Sequence, residues 1–339
     1  MDCVGCMSFD CAERITIWAL GSSTDEEATN WIVSHGLTYG KVSCAKSHEE
    51  EKCVVKNDKW RCGNRGCRSV YSVLGPFLGG NKKVKPSRVV AMVYGWVSGL
   101  ARKLIAKEIG INLKTVTLWT KLLEEMCAYG HMQRYRNAAG TWRSMMKDET
   151  AISKIKAGGC GGRRTREKGV QWVHGLVSLR RDGKADGVFF LPVKDRTAAT
   201  LNAHVRDLAA GPRTRVWTDG ARSNFELGCE FDWDCCNHRY EWVGPTGVHT
   251  QTIESMNNLL KRECRLRGSC WGRTDKARAN RVMAYAEVAN AKLKVLETNP
   301  MMRVCSDMRM WCEHVVVGQD EDEEEEGEEE VQEESEDDA

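Results

Sequence analysis

No run of about 18 apolar residues occurs in this 339-residue chain, so the sequence offers no membrane-spanning helix. No charged-then-apolar leader opens it, and a soluble, intracellular protein is expected. Net charge is also scarce, since 50 Lys and Arg against 48 Asp and Glu leave only +2. That balance hides a segregation. Residues 319–339 hold 15 acids and no base, which leaves about +17 on the rest of the chain. A body that basic expects a polyanion. The acidic tail can bury almost nothing and is predicted to be disordered, either as a solvating tail or as an intramolecular mimic of DNA. A hydrophobic fraction of 41% suffices for real cores, and the length suits about two domains. Cysteine is abundant, with 16 residues spread over a chain lacking a secretion signal, which favours reduced thiols and metal ligation over a disulfide scaffold.

Three carboxylates organise the chemistry. Asp219 follows Val216 and Trp217 and precedes Gly220, the pattern of a strand running out into a turn with an acid at its tip. Glu254 lies in HTQTIESMNNLLKR with Ile253, Met256, Leu259 and Leu260 at helical spacing, and Lys261, seven residues on, shares its face. Asp148, in SMMKDETAISK, is the candidate third acid, 71 residues before Asp219, which itself stands 35 before Glu254. Three carboxylates suffice to hold two divalent cations, and oxygen-only ligands suit magnesium or manganese. Lys261 and Arg262 are positioned to hold phosphates, as are Arg163 and Arg164 in the Gly-rich cationic loop KIKAGGCGGRRTREKG.

Around these acids, residues 140–295 read as one core. It runs from the segment of Asp148 through strands QWVHGLVSL and GVFFLPV, an amphipathic helix over 197–210 and strand TRVWTDG to the helix of Glu254. Glu149 is expected to point away from Asp148, because neighbours on a strand face opposite sides. Asp182, Asp232 and Asp234 read as turn residues. His249 reads as orienting DNA or backbone. Trp172, Trp217, Trp233 and Trp242 read as core or stacking residues. Cys229, Cys235, Cys236 and His238 are the weaker of two candidate zinc sets. Residues 273–315 read as a basic helical coda that packs on the core or supports dimerisation, with 296–318 a C-terminal helical segment.

Upstream, residues 1–40 contain Cys3, Cys6 and Cys11 and a short helix from Asp25 that stops at His35-Gly36. Cys3 and Cys6 have zinc-knuckle spacing without a second half. Within 41–80, Cys44, Cys53, Cys62 and Cys67 could close a tetrahedral structural zinc site, with His48 as a substitute for one ligand. A small cysteine-containing hairpin module without metal is the alternative. Residues 86–135 read as helical throughout: a first helix from Pro86, a short one stopping at Gly110, and a longer one opening with Asn112, Lys114, Thr115 and Thr117. This is the helix-turn-helix arrangement, with Lys114, Thr115 and Thr117 facing a DNA groove; any antiparallel helical pair competes with it.

The ordered motifs DET with its basic loop, VQWVHGLV, RTAATL, VWTDGARS, NHRYEWVGPTGVHTQTIES and a Lys seven after the Glu are similar to those of the Merlin superfamily DNA transposases. The resemblance extends to their bacterial insertion-sequence relatives with an ISXO2-like DDE domain. It is close over residues 140–265 and looser over 25–135. It implies an α/β fold, an RNase H-like catalytic core preceded by zinc-ribbon-like and helix-turn-helix modules. Asp148 would lie on the first strand, Asp219 on the next central strand, bridging two cations, and Glu254 across from both on the second cation. The 8 residues between Cys44 and Cys53 depart from the tight first cysteine pair of that family. His238, in NHRY, is placed near the active site. The implied activity is metal-dependent cleavage at transposon ends and strand transfer into target DNA. Its partners are double-stranded terminal inverted repeats and target DNA, with a homodimer or larger assembly on them. The site of action would be the nucleus in a eukaryotic host, where GGRRTREK could serve import, and otherwise the cytoplasm or nucleoid. Rival readings are a domesticated DNA-binding protein that has lost catalysis and a zinc protein whose acidic tail binds histones.

Overall fold

The computed structural model describes residues 24–34, 53–56, 59–62, 64, 66–67, 70–72, 84–153, 170–236, 243, 249–267, 274–292, 300–301 and 303–311. The chain divides into two compact units, one of residues 1–95, 105–122 and 305–339, the other of residues 96–104 and 123–304.

In the first unit, helix α1 (Asp25–Ser34) starts on a reciprocal capping box. The Glu27 N–H donates to Thr24 Oγ1 at 3.2 Å, and the Thr24 N–H donates to Glu27 Oε2 at 2.8 Å. The helix ends just before the His35-Gly36 pair. Strands β1 (Cys53–Lys56), β2 (Lys59–Cys62) and β3 (Val70–Ser72) form an antiparallel sheet, with Cys53 and Cys62 as register partners. Cys67 lies in the following turn, where its N–H donates to the Asn64 carbonyl. Cys44 and His48 lie outside the described residues, as do Cys3, Cys6 and Cys11.

Three helices follow: α2 (Pro86–Val97), α3 (Arg102–Ile109) and α4 (Leu113–Asn137). Gly110, at φ +65°, makes the turn between α3 and α4 in a conformation that side chains disfavour. Asn112 then caps α4 by accepting from the Lys114 N–H at 2.8 Å. Ile105 of α3 and Val116 of α4 are both buried. Lys114 is exposed; Thr115 and Thr117 are half-buried, and the Thr117 hydroxyl donates to the Leu113 carbonyl of its own helix.

The second unit is built on a five-stranded mixed sheet. Strands β4 (Ser144–Ser153), β5 (Val170–Leu179), β6 (Ala185–Val193), β7 (Arg215–Asp219) and β8 (Asp232–Cys236) lie in the order β6-β5-β4-β7-β8. The first three pair antiparallel, while β7 and β8 run parallel to β4. Helix α5 (Ala198–Leu208) bridges β6 to β7, capped by Thr197, whose side chain accepts from the Thr200 N–H. Helices α6 (Gln251–Leu266) and α7 (Asp275–Lys292) complete this mixed α/β unit. One core joins Met145, Leu176, Phe189 and Val216 of the sheet to Val205 and Leu208 of α5.

One expectation changes here. Asp232 and Asp234 stand on β8, not in turns. Among the described residues β8 is an edge strand, and exposed Asp232 at its start pairs with Arg215 of β7 at 3.6 Å. Helix α7 is a core element, with Val282, Tyr285, Val288 and Ala289 among its buried residues. It also seals the free edge of β6: Asn290 Nδ2 donates to the Val188 carbonyl at 3.0 Å, while the Phe190 N–H donates to His131 Nε2 of α4 at 3.3 Å.

That bond leaves the His131 Nδ1 proton for Glu287 Oε1 of α7, at 2.5 Å. Arg134 and Arg303 bind the other oxygen at 2.7 and 2.6 Å. Burial pushes the Glu287 carboxyl up, but His131 and the two guanidinium groups outweigh it and hold the group below the ordinary glutamate range. A depressed folded-state value contributes stability above the ordinary range and loses it as pH falls through that range. Glu287→Gln is therefore expected to cost about 3–5 kcal/mol in denaturant unfolding at pH 7, because it removes the buried carboxylate charge that His131, Arg134 and Arg303 share. The gap between wild type and variant should narrow in acid.

Candidate active site

The ladder between parallel strands β4 and β7 ends at Met146 and Trp217. Two residues beyond on each strand stand Asp148, midway along β4, and Asp219, at the carboxyl end of β7, where these two strands part. In an open sheet that is where ligands bind. Alternation along β4 puts Met146, Asp148 and Thr150 on one face and Met145, Lys147 and Glu149 on the other. Glu149 accordingly turns from Asp148 to pair with Lys147 at 3.6 Å.

Opposite Asp148 on β5 is Gly175. A Cβ there would meet Ile253 Cδ1 at 2.9 Å, Asn257 Oδ1 at 3.1 Å and Phe190 Cε1 at 3.2 Å. The bare backbone lets α6 settle on the sheet beside Asp148. Asn257 Nδ2 donates to Asp148 Oδ2 at 2.8 Å, and the Glu149 N–H donates to Oδ1 at 2.8 Å. Asp219 Oδ1 accepts from the Ala221 N–H at 3.1 Å and from Asn224 Nδ2 at 2.8 Å, which locks the 3-10 turn Arg222–Cys229 behind it. Glu254, one turn before Asn257, accepts from the Thr250 hydroxyl at 2.9 Å. All three acids are half-buried.

The acids act on one another through charge. Burial, the charge of Asp219 and that of Glu149 push the Asp148 carboxyl up to about 6; the Glu149 N–H opposes the shift and Glu254 adds to it. Such a concentration of negative charge on oxygen-only donors fits a hard divalent cation, which would reverse the penalty. Among the described residues no group of three His, Cys, Asp or Glu side chains could hold one ion together; each acid is held by its own hydrogen-bond partners.

Lys261 is half-buried and Arg262 exposed on α6. His249 leans on Trp217 with ring centroids 6.0 Å apart, and its buried Nδ1 has no hydrogen-bond partner among the described residues. Cys229 is exposed at the end of the 3-10 turn, and Cys235 and Cys236 lie on β8. Arg163, Arg164, His238 and Trp242 lie outside the described residues. Sequence reasoning missed Asn224 and Asn257, the amides that orient two of the acids. Their signal was polarity at buried positions, with Asn224 1% and Asn257 3% exposed.

No family model matches the chain, and no curated protein does. Among solved structures it is similar to a pre-cleavage Mos1 transpososome, at 13% identity over 64% of this chain and 78% of that one, with a TM-score of 0.22. It is also similar to the Mos1 strand transfer complex, at 13% identity over 68% and 77%, with a TM-score of 0.24. No helix among the described residues is long and apolar enough to cross a membrane.

Proposed function

We propose that the chain is a metal-dependent DNA strand transferase of the DDE transposase kind, cutting at transposon ends and joining them to target DNA. The observation that carries this reading is the pairing of Asp148 and Asp219 at equivalent positions past the last paired residues of β4 and β7, with Glu254 near enough to act on Asp148. Asp148 and Asp219 would hold one magnesium or manganese ion and Glu254 would help hold a second. Bound there, these ions supply the Lewis acidity that activates an attacking oxygen and neutralises a leaving one.

The chain's own groups do the rest. Asn257, Asn224 and Thr250 fix the carboxylate rotamers before substrate arrives. Lys261 and Arg262, on the helix of Glu254, bind phosphates of the strand being cut. Lys114, Thr115 and Thr117 at the start of α4 read the end sequence in the helix-turn-helix manner, and Arg163 and Arg164 grip DNA from their loop. A structural zinc ion on the Cys44, Cys53, Cys62 and Cys67 set would support end recognition, and two ends would be joined by a homodimer or larger assembly. The resemblance to Merlin and ISXO2-like transposases supports the roles given to Asp148, Asp219, Glu254 and Lys261.

The test is cleavage and strand transfer on DNA bearing the terminal repeats that flank this gene, with magnesium or manganese, comparing wild type with Glu254→Gln. Cleavage lost in the variant while end binding persists is the expected result. End binding without cleavage in either protein would favour the domesticated reading, and removal of divalent metal by EDTA should mimic the variant.

A further inference from the structure

Behind the carboxylates, on the other face of β4, an ammonium group sits inside the protein. Lys147 is 1% exposed and shares its sheet face with Met145 and Leu176. A charge taken out of water must be matched by nearby opposite charge and hydrogen bonds. Glu149 supplies one partner at 3.6 Å, and Asn202 Oδ1 of α5, itself fully buried, lies 3.5 Å away. Asn202 does not end there. Its Nδ2 donates to the Ser223 carbonyl at 3.0 Å, inside the turn that follows Asp219. The next residue, Asn224, is the one that binds the Asp219 carboxylate. Lys147 thus stands beside Asp148 on its strand and, through Asn202, reaches the turn that orients Asp219. The buried imidazole of His174, its Nδ1 3.0 Å from that of His204, feels the charge of Lys147, and Arg196 acts in turn on Glu149.

We infer that Lys147 is a positioning residue: its buried ammonium holds β4 to the turn after Asp219 and offsets the charge of the acids until a divalent cation takes that role. The inference rests on the three-carboxylate reading of the site. An ordinary structural lysine would link elements; this one also sets how strongly the acids attract a cation.

The experiment is titration of the DNA-free full chain with Mn²⁺, followed by electron paramagnetic resonance. Lys147→Met is expected to tighten Mn²⁺ binding by about tenfold, the size of one unit charge removed at several ångströms in an intermediate dielectric. Metal-dependent cleavage should fall tenfold or more in the same variant. Lys147→Arg keeps the charge and should keep the wild-type affinity. Lys147→Gln, which can still bond Asn202, carries the same expectation as Lys147→Met should the latter fail to fold. Unchanged or weaker Mn²⁺ binding in a folded neutral variant overturns the inference. Asp148→Asn is the control: if it leaves Mn²⁺ binding intact, the carboxylate reading itself has failed, whatever Lys147 does.

Discussion

Asp148→Asn is expected to abolish divalent-dependent strand cleavage and, in the same molecule, to raise the melting temperature of the metal-free protein. Loss of a carboxylate that holds the cation removes several kcal/mol of transition-state stabilisation, about a thousandfold or more in rate. The stability gain follows from the sign of the Asp148 shift. Folding raises its carboxyl from the ordinary aspartate range to about 6, so the folded metal-free protein resists losing a proton that the unfolded chain gives up readily. The penalty is absent in strong acid, grows as pH rises through 4 to 6, and is constant above. At pH 7 it is about 3 kcal/mol, which the neutral amide escapes; its one oxygen keeps the bond from the Glu149 N–H, and its new NH2 is matched once the Asn257 amide turns its oxygen towards it. Thermal unfolding in EDTA at pH 7 should show the variant melting a few degrees higher. At pH 4 the difference should be nearly gone, and manganese should stabilise wild type alone. A variant that melts lower than wild type in EDTA at pH 7 would mean that the acids are not in electrostatic conflict.

Gly175→Val is the second large effect, and it works through packing. Ile253, Asn257 and Phe190 enclose the position on three sides, each closer to a new Cβ than ordinary van der Waals contact allows. The Ile253 methyl can rotate away. The Asn257 amide cannot move without releasing Asp148. Overpacking of this kind costs about 1–3 kcal/mol, and here relief comes from lifting α6 off the sheet, which carries Glu254 with it. The expected outcome is a lower denaturation midpoint with turnover reduced about a hundredfold, well beyond what the lost fraction of folded protein explains. Gly175→Ala should show the same pattern more weakly. Activity that tracks folded fraction alone would separate the helix position from the chemistry.

Much of this site was legible from the sequence, for identifiable reasons. Asp219 announced itself because an apolar strand ended in an acid and a glycine, a local pattern that tertiary structure had no reason to override. Glu254 and Lys261 were legible from helical spacing, and α6 does bury Ile253, Met256 and Leu260. Lys147 was not legible, because a lysine at a core-facing strand position contradicts the binary pattern until its partners, 2 and 55 residues away, are known. Gly175 looked like an ordinary strand residue; only the approach of a helix from about 80 residues later makes its missing side chain necessary. β8 was hidden because DWDCC puts acids where strand propensity expects β-branched residues. Helix α7 packs on the core, one of the two roles open to that segment in the sequence, and it is buried on nearly every side, so no clear polar stripe marked which role it takes.

The burial of α7 also governs when the site can first exist during synthesis. Asp148 and Asp219 become neighbours once β4 and β7 pair, yet β6 keeps an unsatisfied edge until Asn290 arrives, and the His131 and arginine cluster stays unbalanced until Glu287 does. A nascent chain still short of residue 292 therefore holds the acids without the element that fastens their scaffold. The proposed site is therefore completed late in synthesis, after the segments proposed to grip DNA have already emerged.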